Sequence, residues 1–230
     1  MTARRGPSRL LASLLLLSCC VPAWTARAMD DGGGRSVFAT GAGNRALAMG
    51  GAFCALADDA SAPIWNPAGL GRVQRRELQA SQTTLFGLGF NEQYASFVLP
   101  SWRWGSTSLT WRRFGVDGIE ERDDRGFLLG DDLEDSETEL ALGYGRSLLD
   151  GDLALGGTLK LQRQALAGYQ DSGVGMDLGI WARPLALAGS HRALARQLAV
   201  GLTVRNAIEP TIKLDQDNVP DPIAVRAGLA

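Results

Sequence analysis

The stretch "LALGGTLKLQRQ", residues 153–164, decides how the chain reads. Leu153, Leu155, Leu159 and Leu161 fall on one side of an extended backbone, while Thr158, Lys160, Gln162 and Gln164 fall on the other. A period of two is the signature of a strand with two chemically different faces. The same alternation recurs on both sides. "ETELALGYGRSL" (137–148) sets Leu140, Leu142, Tyr144 and Leu148 together, and "GMDLGIWAR" (175–183) sets Met176, Leu178, Ile180 and Ala182 against Asp177, Gly179, Trp181 and Arg183. "QLAVGLTVR" (197–205) sets Leu198, Val200, Leu202 and Val204 against Thr203 and Arg205, and "STSLTWRR" (106–113) sets Leu109 and Trp111 against Thr110 and Arg112. With 77–87, 92–100 and 223–230, eight strands are expected.

Most of these segments run about nine to twelve residues, longer than the globular mode and close to the length that crosses a bilayer at a tilt. Leu149-Asp150-Gly151-Asp152 is expected as a tight hairpin turn built on Asp-Gly. The segment 115–136 is long and acidic and reads as a solvated outer loop, with short turns at the opposite end. Over 117–139 there are eleven acids and two arginines, without calcium-loop spacing. Trp102, Trp104, Trp111 and Trp181 lie at or near strand ends, where an aromatic girdle is expected. Periodicity alone also allows a soluble secreted β-sandwich.

Residues 2–28 carry Arg4, Arg5 and Arg9, an apolar run from Leu10 to Val21, and Ala26-Arg27-Ala28, which together read as a signal peptide cleaved after Ala28. Its removal takes four of 23 basic residues and no acid, leaving 19 against 25 acids and a net charge of −6. That balance argues against nucleic acid as a partner. Cys19 and Cys20 leave with the leader, so Cys54 stands alone. The chain has one histidine, His191, which with the lone cysteine removes most zinc and histidine-based chemistry. No catalytic, cofactor-binding or metal-binding residue is assigned, and the chain is not read as an enzyme.

Gly41-x-Gly43-x-x-Ala46 spells a dinucleotide-binding turn, but only 14 residues separate Gly43 from Asp58, too few for a crossover helix and second strand. The 30 residues "GAGNRALAMGGAFCALADDASAPIWNPAGL" (41–70) resemble instead the N-terminal segment of the FadL-like (long-chain fatty-acid transporter) superfamily, and more closely its PorV/PorQ-type branch. The resemblance rests on Arg45, Ala46, Met49-Gly50-Gly51, Ala57-Asp58-Asp59 and Asn66-Pro67-Ala68-Gly69-Leu70. It implies a small helical hatch packed inside an antiparallel outer-membrane barrel of about 14 strands.

On that reading the chain is all-β, a transmembrane antiparallel β-barrel of the FadL-like type seen as a truncated half. Residues 1–28 are the signal peptide, 29–76 the hatch, and 77–230 the barrel strands, incomplete at the C-terminus. Asn66 is expected to cap a helix that Pro67 opens, and Asp58 and Asp59 to form solvated pairs, with wall arginines such as Arg112 or Arg163 as the alternative partners. The implied location is the outer membrane of a Gram-negative-type bacterium. The implied role is passage of hydrophobic small molecules, or protein secretion and cell-surface assembly with secretion-system proteins. The inner faces inferred from Lys160, Gln162, Asp177, Arg183 and Arg205 are polar, which weighs against a fatty-acid tunnel.

Overall fold

The computed structural model describes residues 36–85, 89–123, 125–166, 168–189, 197–214 and 217–230. The signal-peptide reading with Ala28, and His191, lie outside them. Within the described residues the chain is mostly antiparallel β-sheet.

Eight strands form one sheet in chain order: β1 (Glu77–Leu85), β2 (Phe90–Leu99), β3 (Ser106–Arg122), β4 (Leu128–Leu148), β5 (Leu153–Leu166), β6 (Tyr169–Ala182), β7 (Val200–Ile208) and β10 (Ala224–Leu229). All eight expected strands are present. A short hairpin of β8 (Thr211–Leu214) and β9 (Asp217–Pro220), not anticipated from the sequence, lies between β7 and β10 and contacts β6. The sheet is not closed: β1 and β10 are its edges, with no β1–β10 pairing. Every neighbouring pair is antiparallel, so the two edges run antiparallel to each other.

The segment 115–136 is not a loop. β3 and β4 continue through it as a two-stranded ribbon, pairing Gly115 with Ser136, Val116 with Asp135 and Ile119 with Leu133, with register shifts near the tip. The Asp123 carboxylate closes the turn by accepting from the Arg125 and Phe127 N–H groups. The sequence of the ribbon has no apolar alternation, so its strands lack the period-two signal. At the other end Leu149–Gly151 makes the expected tight turn, with Leu149, Asp150 and Gly151 all at positive φ.

One face of the sheet is covered by residues 36–73. They form a 3-10 turn (Val37–Thr40), α1 (Asn44–Ala48), α2 (Ala62–Trp65) and a second 3-10 helix (Pro67–Arg72). Their buried side chains are mostly small or aromatic, among them Ala46, Phe53, Ala57, Ala60, Ala62 and Trp65, with Ile64, Leu70 and Val73 as the branched aliphatics. The sheet side chains beneath them are polar. Thr110, Arg112, Glu139, Thr158, Lys160, Gln162, Asp177, Thr203 and Arg205 are all at most 4% exposed.

The opposite face is apolar and exposed. Trp111, Leu140, Leu161 and Val174 stand in one row across β3–β6, and Leu109, Leu142 and Leu159 in the next. Leu155, Ile180 and Leu202 make another on β5–β7, with Val225 and Leu229 continuing the face onto β10. Leu142 is 60% and Val225 67% exposed. The face assignment read from periodicity is the observed one.

Candidate functional site: the hatch on the sheet wall

The hatch backbone meets the sheet wall through a set of carbonyl groups, and the wall supplies the donors. Arg112 Nη2 donates to Phe38 O and Arg226 Nη2 to Ala39 O, each at 2.9 Å. Trp181 Nε1 donates to Ala55 O at 2.8 Å and Tyr94 OH to Ala60 O at 3.1 Å. The Thr158 and Thr203 hydroxyls donate to Pro63 O and Trp65 O. A non-sheet segment laid on a wall leaves carbonyls without a ladder partner, and buried carbonyls need donors. This is the physical reason the covered face is polar. Trp181 is therefore not a girdle residue: it is 4% exposed, and Arg72 stacks on its ring at 4.1 Å. Trp102 and Trp104, in the β2–β3 turn, and Trp111 do lie on the exposed side.

Asn66 is the centre of the hatch. Its Oδ1 accepts from Ala68 N–H at 3.1 Å, capping the 3-10 helix that Pro67 opens, as expected. Its Nδ2 donates to Cys54 O at 2.9 Å and to Ile180 O at 3.0 Å, tying two hatch turns to β6. Beneath it lies a floor of glycines in register, Gly145, Gly156 and Gly179 on β4, β5 and β6. A Cβ on Gly156 would sit 2.3 Å from Pro67 O, and one on Gly179 2.2 Å from Asn66 Oδ1. Gly69, inside the hatch, approaches Ala57 in the same way, and Ala68 is fully buried. These strand glycines were not singled out from sequence; the available signal was their recurrence at wall-facing positions of three adjacent strands.

The other motif residues are placed as follows. Arg45 pairs with Asp58 at 2.5 Å and with Asp59 at 3.5 Å, and stacks over Phe53 at 5.0 Å. Asp58 also reaches Arg72 at 3.7 Å. Asp59 Oδ1 accepts from the Ser61 N–H and hydroxyl. The two aspartates thus pair within the hatch rather than with Arg112 or Arg163. Arg112 faces Glu139, and Arg163 donates to Gln170. The hatch arginines Arg45 and Arg72 take the aspartates instead. Met49 is exposed beyond the end of α1. Gly50 and Gly51 take positive φ in the turn that follows, and nothing lies within 4 Å of a Cβ placed at Gly50, so backbone conformation rather than space requires glycine there.

Deeper in the wall, Lys160 pairs with Asp177 at 2.8 Å and Arg112 with Glu139 at 3.7 Å, whose other oxygen accepts from Gln162. Asn206, at φ +53, sits in the β6–β7 bulge and receives Lys160 on its Oδ1, while its N–H donates to Asp177. Arg183 lies at the end of β6, half-buried and paired with Asp152. Cys54 is buried against the Thr203 hydroxyl, and burial pushes its thiol up, away from the reactive thiolate. Among the described residues, no group of three or more His, Cys, Asp or Glu side chains is placed to hold a metal ion. Set against protein-family models, curated proteins and solved structures, the chain matches none.

Proposed function

We propose that the chain is an outer-membrane β-barrel protein of the PorV/PorQ type within the FadL-like superfamily, exported to the outer membrane of a Gram-negative-type bacterium, with residues 36–73 as a hatch against its inner wall. The observation that carries this reading is the inversion of the sheet. Its polar, charged face is buried and its leucine-rich face is exposed, the reverse of a water-soluble sheet. A soluble β-sandwich packs two apolar inner faces together, whereas here the covered face is the polar one. From Leu153 to Leu161 the exposed apolar belt runs about 27 Å along β5, and a tilt near 40° brings that to roughly 21 Å of bilayer, close to the height of such belts. Closing a barrel on this sheet requires further strands between β10 and β1. An even number of them keeps every pair antiparallel.

Of the two roles, anchoring or assembling proteins at the cell surface fits better than passing hydrophobic molecules. The wall beneath the hatch carries Arg112, Glu139, Lys160 and Asp177 in ion pairs, and the hatch is bonded to it by six wall donors, an arrangement that offers an apolar tail no path. The acidic β3–β4 ribbon projects past Val116 and Asp135, the last residues paired to β2 and β5, as a docking element for secreted or surface protein does.

The test is expression with the native leader, membrane fractionation, and reconstitution of the purified protein into vesicles. The expected result is recovery in the outer membrane, with no uptake of a fluorescent long-chain fatty acid above empty vesicles. Recovery in the soluble periplasmic fraction overturns the membrane reading. Uptake that saturates with fatty acid overturns the assignment of role.

A further inference from the structure

Five consecutive strands and the hatch enclose a small cavity whose charges do not balance. It is lined by Pro63 and Ile64 from α2 and by Arg112, Glu139, Thr158, Lys160, Asp177 and Arg205 from the wall, with Ala141. Its volume, traced by the centre of a water-sized sphere, is about 10 Å³, room for one water or one ion of similar size. Three of the lining side chains are cations and two are carboxylates. Lys160 is committed to Asp177 and Asn206, and Arg112 to Phe38 O, with Glu139 at 3.7 Å.

Arg205 is different. It is 4% exposed, yet among the described residues its guanidinium has no hydrogen-bond acceptor and no carboxylate within 4 Å. The Nε–H of Arg112, whose side chain is 1% exposed and lines the same cavity, also lacks a hydrogen-bond partner. Glu92 and Glu137, also in electrostatic reach of Arg112, do not line the cavity. Glu139, shared with Arg112 and Lys160, is in electrostatic reach of Arg205 without bonding it directly, whereas buried charges are as a rule directly paired.

We propose that this cavity is a halide site, in which one chloride-sized anion accepts from Arg205 and from Arg112 Nε–H. One monovalent anion balances three cations against two carboxylates, and the volume excludes phosphate, sulfate and carboxylate ligands. The ion lies between α2 and strands β3–β7, so its binding ties the hatch to the wall. The inference goes beyond the proposed function and does not depend on it, because the cavity is defined by the hatch and wall alone.

The test is thermal unfolding of the full chain in sodium bromide against sodium gluconate at one ionic strength. A ligand at tenfold excess over its Kd that binds only the folded state raises Tm by roughly 3–6 °C in a chain of this size. Wild type is expected to show that rise, and Arg205→Lys to keep most of it. Arg205→Gln is expected to lose it while melting no lower than wild type in gluconate, because it removes an unbalanced charge; an arginine with a merely structural role melts lower in both salts. An equal rise in Arg205→Gln, or none in wild type, overturns the proposal. Bromide anomalous diffraction from wild-type crystals gives a second readout that needs no variant. A peak between Arg205 and Arg112 supports the site, and a water without anomalous signal there overturns it.

Discussion

Asn66 shows how a single polar side chain organises the hatch. Its three hydrogen bonds join a 3-10 helix, the Cys54 turn and strand β6, and it is fully buried. Replacing it by alanine removes the partner of the buried Cys54 carbonyl and of the Ala68 N–H and cuts the tie to Ile180 O, at a cost of about 2–4 kcal/mol. Denaturant unfolding of Asn66→Ala is expected to show that loss. The glycine floor beneath it makes a sharper comparison. Gly179→Ala places a Cβ 2.2 Å from Asn66 Oδ1, whereas Gly157→Ala, one position beyond Gly156 on β5, meets its nearest atom at 3.5 Å. Gly179→Ala is expected to destabilise by about 2 kcal/mol or more through overpacking, and Gly157→Ala to change stability by less than about 0.5 kcal/mol.

Glu137 lies beyond the apolar belt, toward the ribbon. Burial pushes its carboxyl up to about 7, with the nearby Asp135 and Asp221 adding to the shift and the Ser36 hydroxyl and Arg112 opposing it. The folded state therefore holds a proton that the unfolded state releases from pH 4.5 upward. Stability falls as pH rises from about 4.5 to 7, and levels off above that. Glu137→Gln is expected to flatten this part of the Tm–pH profile and to melt above wild type at pH 8. An unchanged profile contradicts the assignment.

At the scale of elements, the strands were legible because one face of each had to be apolar and the other polar, so the period of two survived in every strand under the hatch. The signal failed where that constraint lapses. The β3–β4 ribbon beyond Gly115 and Ser136 has no apolar alternation, so nothing in its acidic sequence distinguishes strand from loop. The β8–β9 hairpin has four-residue strands, too short to show a period. Trp181 had the right position for a girdle, but its alternation partners Asp177 and Gly179 already placed it on the polar face. The hatch motif was legible in its caps, Asn66 and Pro67. Its ion pairs were not, because which arginine reaches Asp58 depends on how the turn at Gly50–Gly51 folds Arg45 back. Because β2 and β5 pair with β3 and β4 only as far as Val116 and Asp135, replacing residues 117–134 by a two-residue Asn-Gly turn is expected to shift Tm by no more than about 2 °C. A large drop would show that the tip packs against the sheet.

At the scale of the whole molecule, polar wall groups are buried because the hatch backbone pairs with them. On the proposed membrane reading, the leucines remain outside because lipid is the better medium for them. Beneath the hatch Lys160 pairs directly with Asp177, and Arg112 faces Glu139 across 3.7 Å. The most direct measurement is the environment of the leucine face. In a Cys54→Ala background, single cysteines at Leu142 and Leu159 would carry nitroxide labels in protein reconstituted into vesicles, and their collision rates with oxygen and with a water-soluble nickel complex would be compared. High oxygen and low nickel accessibility at both positions is predicted for side chains in lipid. High nickel accessibility at both would contradict the membrane-facing assignment and return the sheet to water.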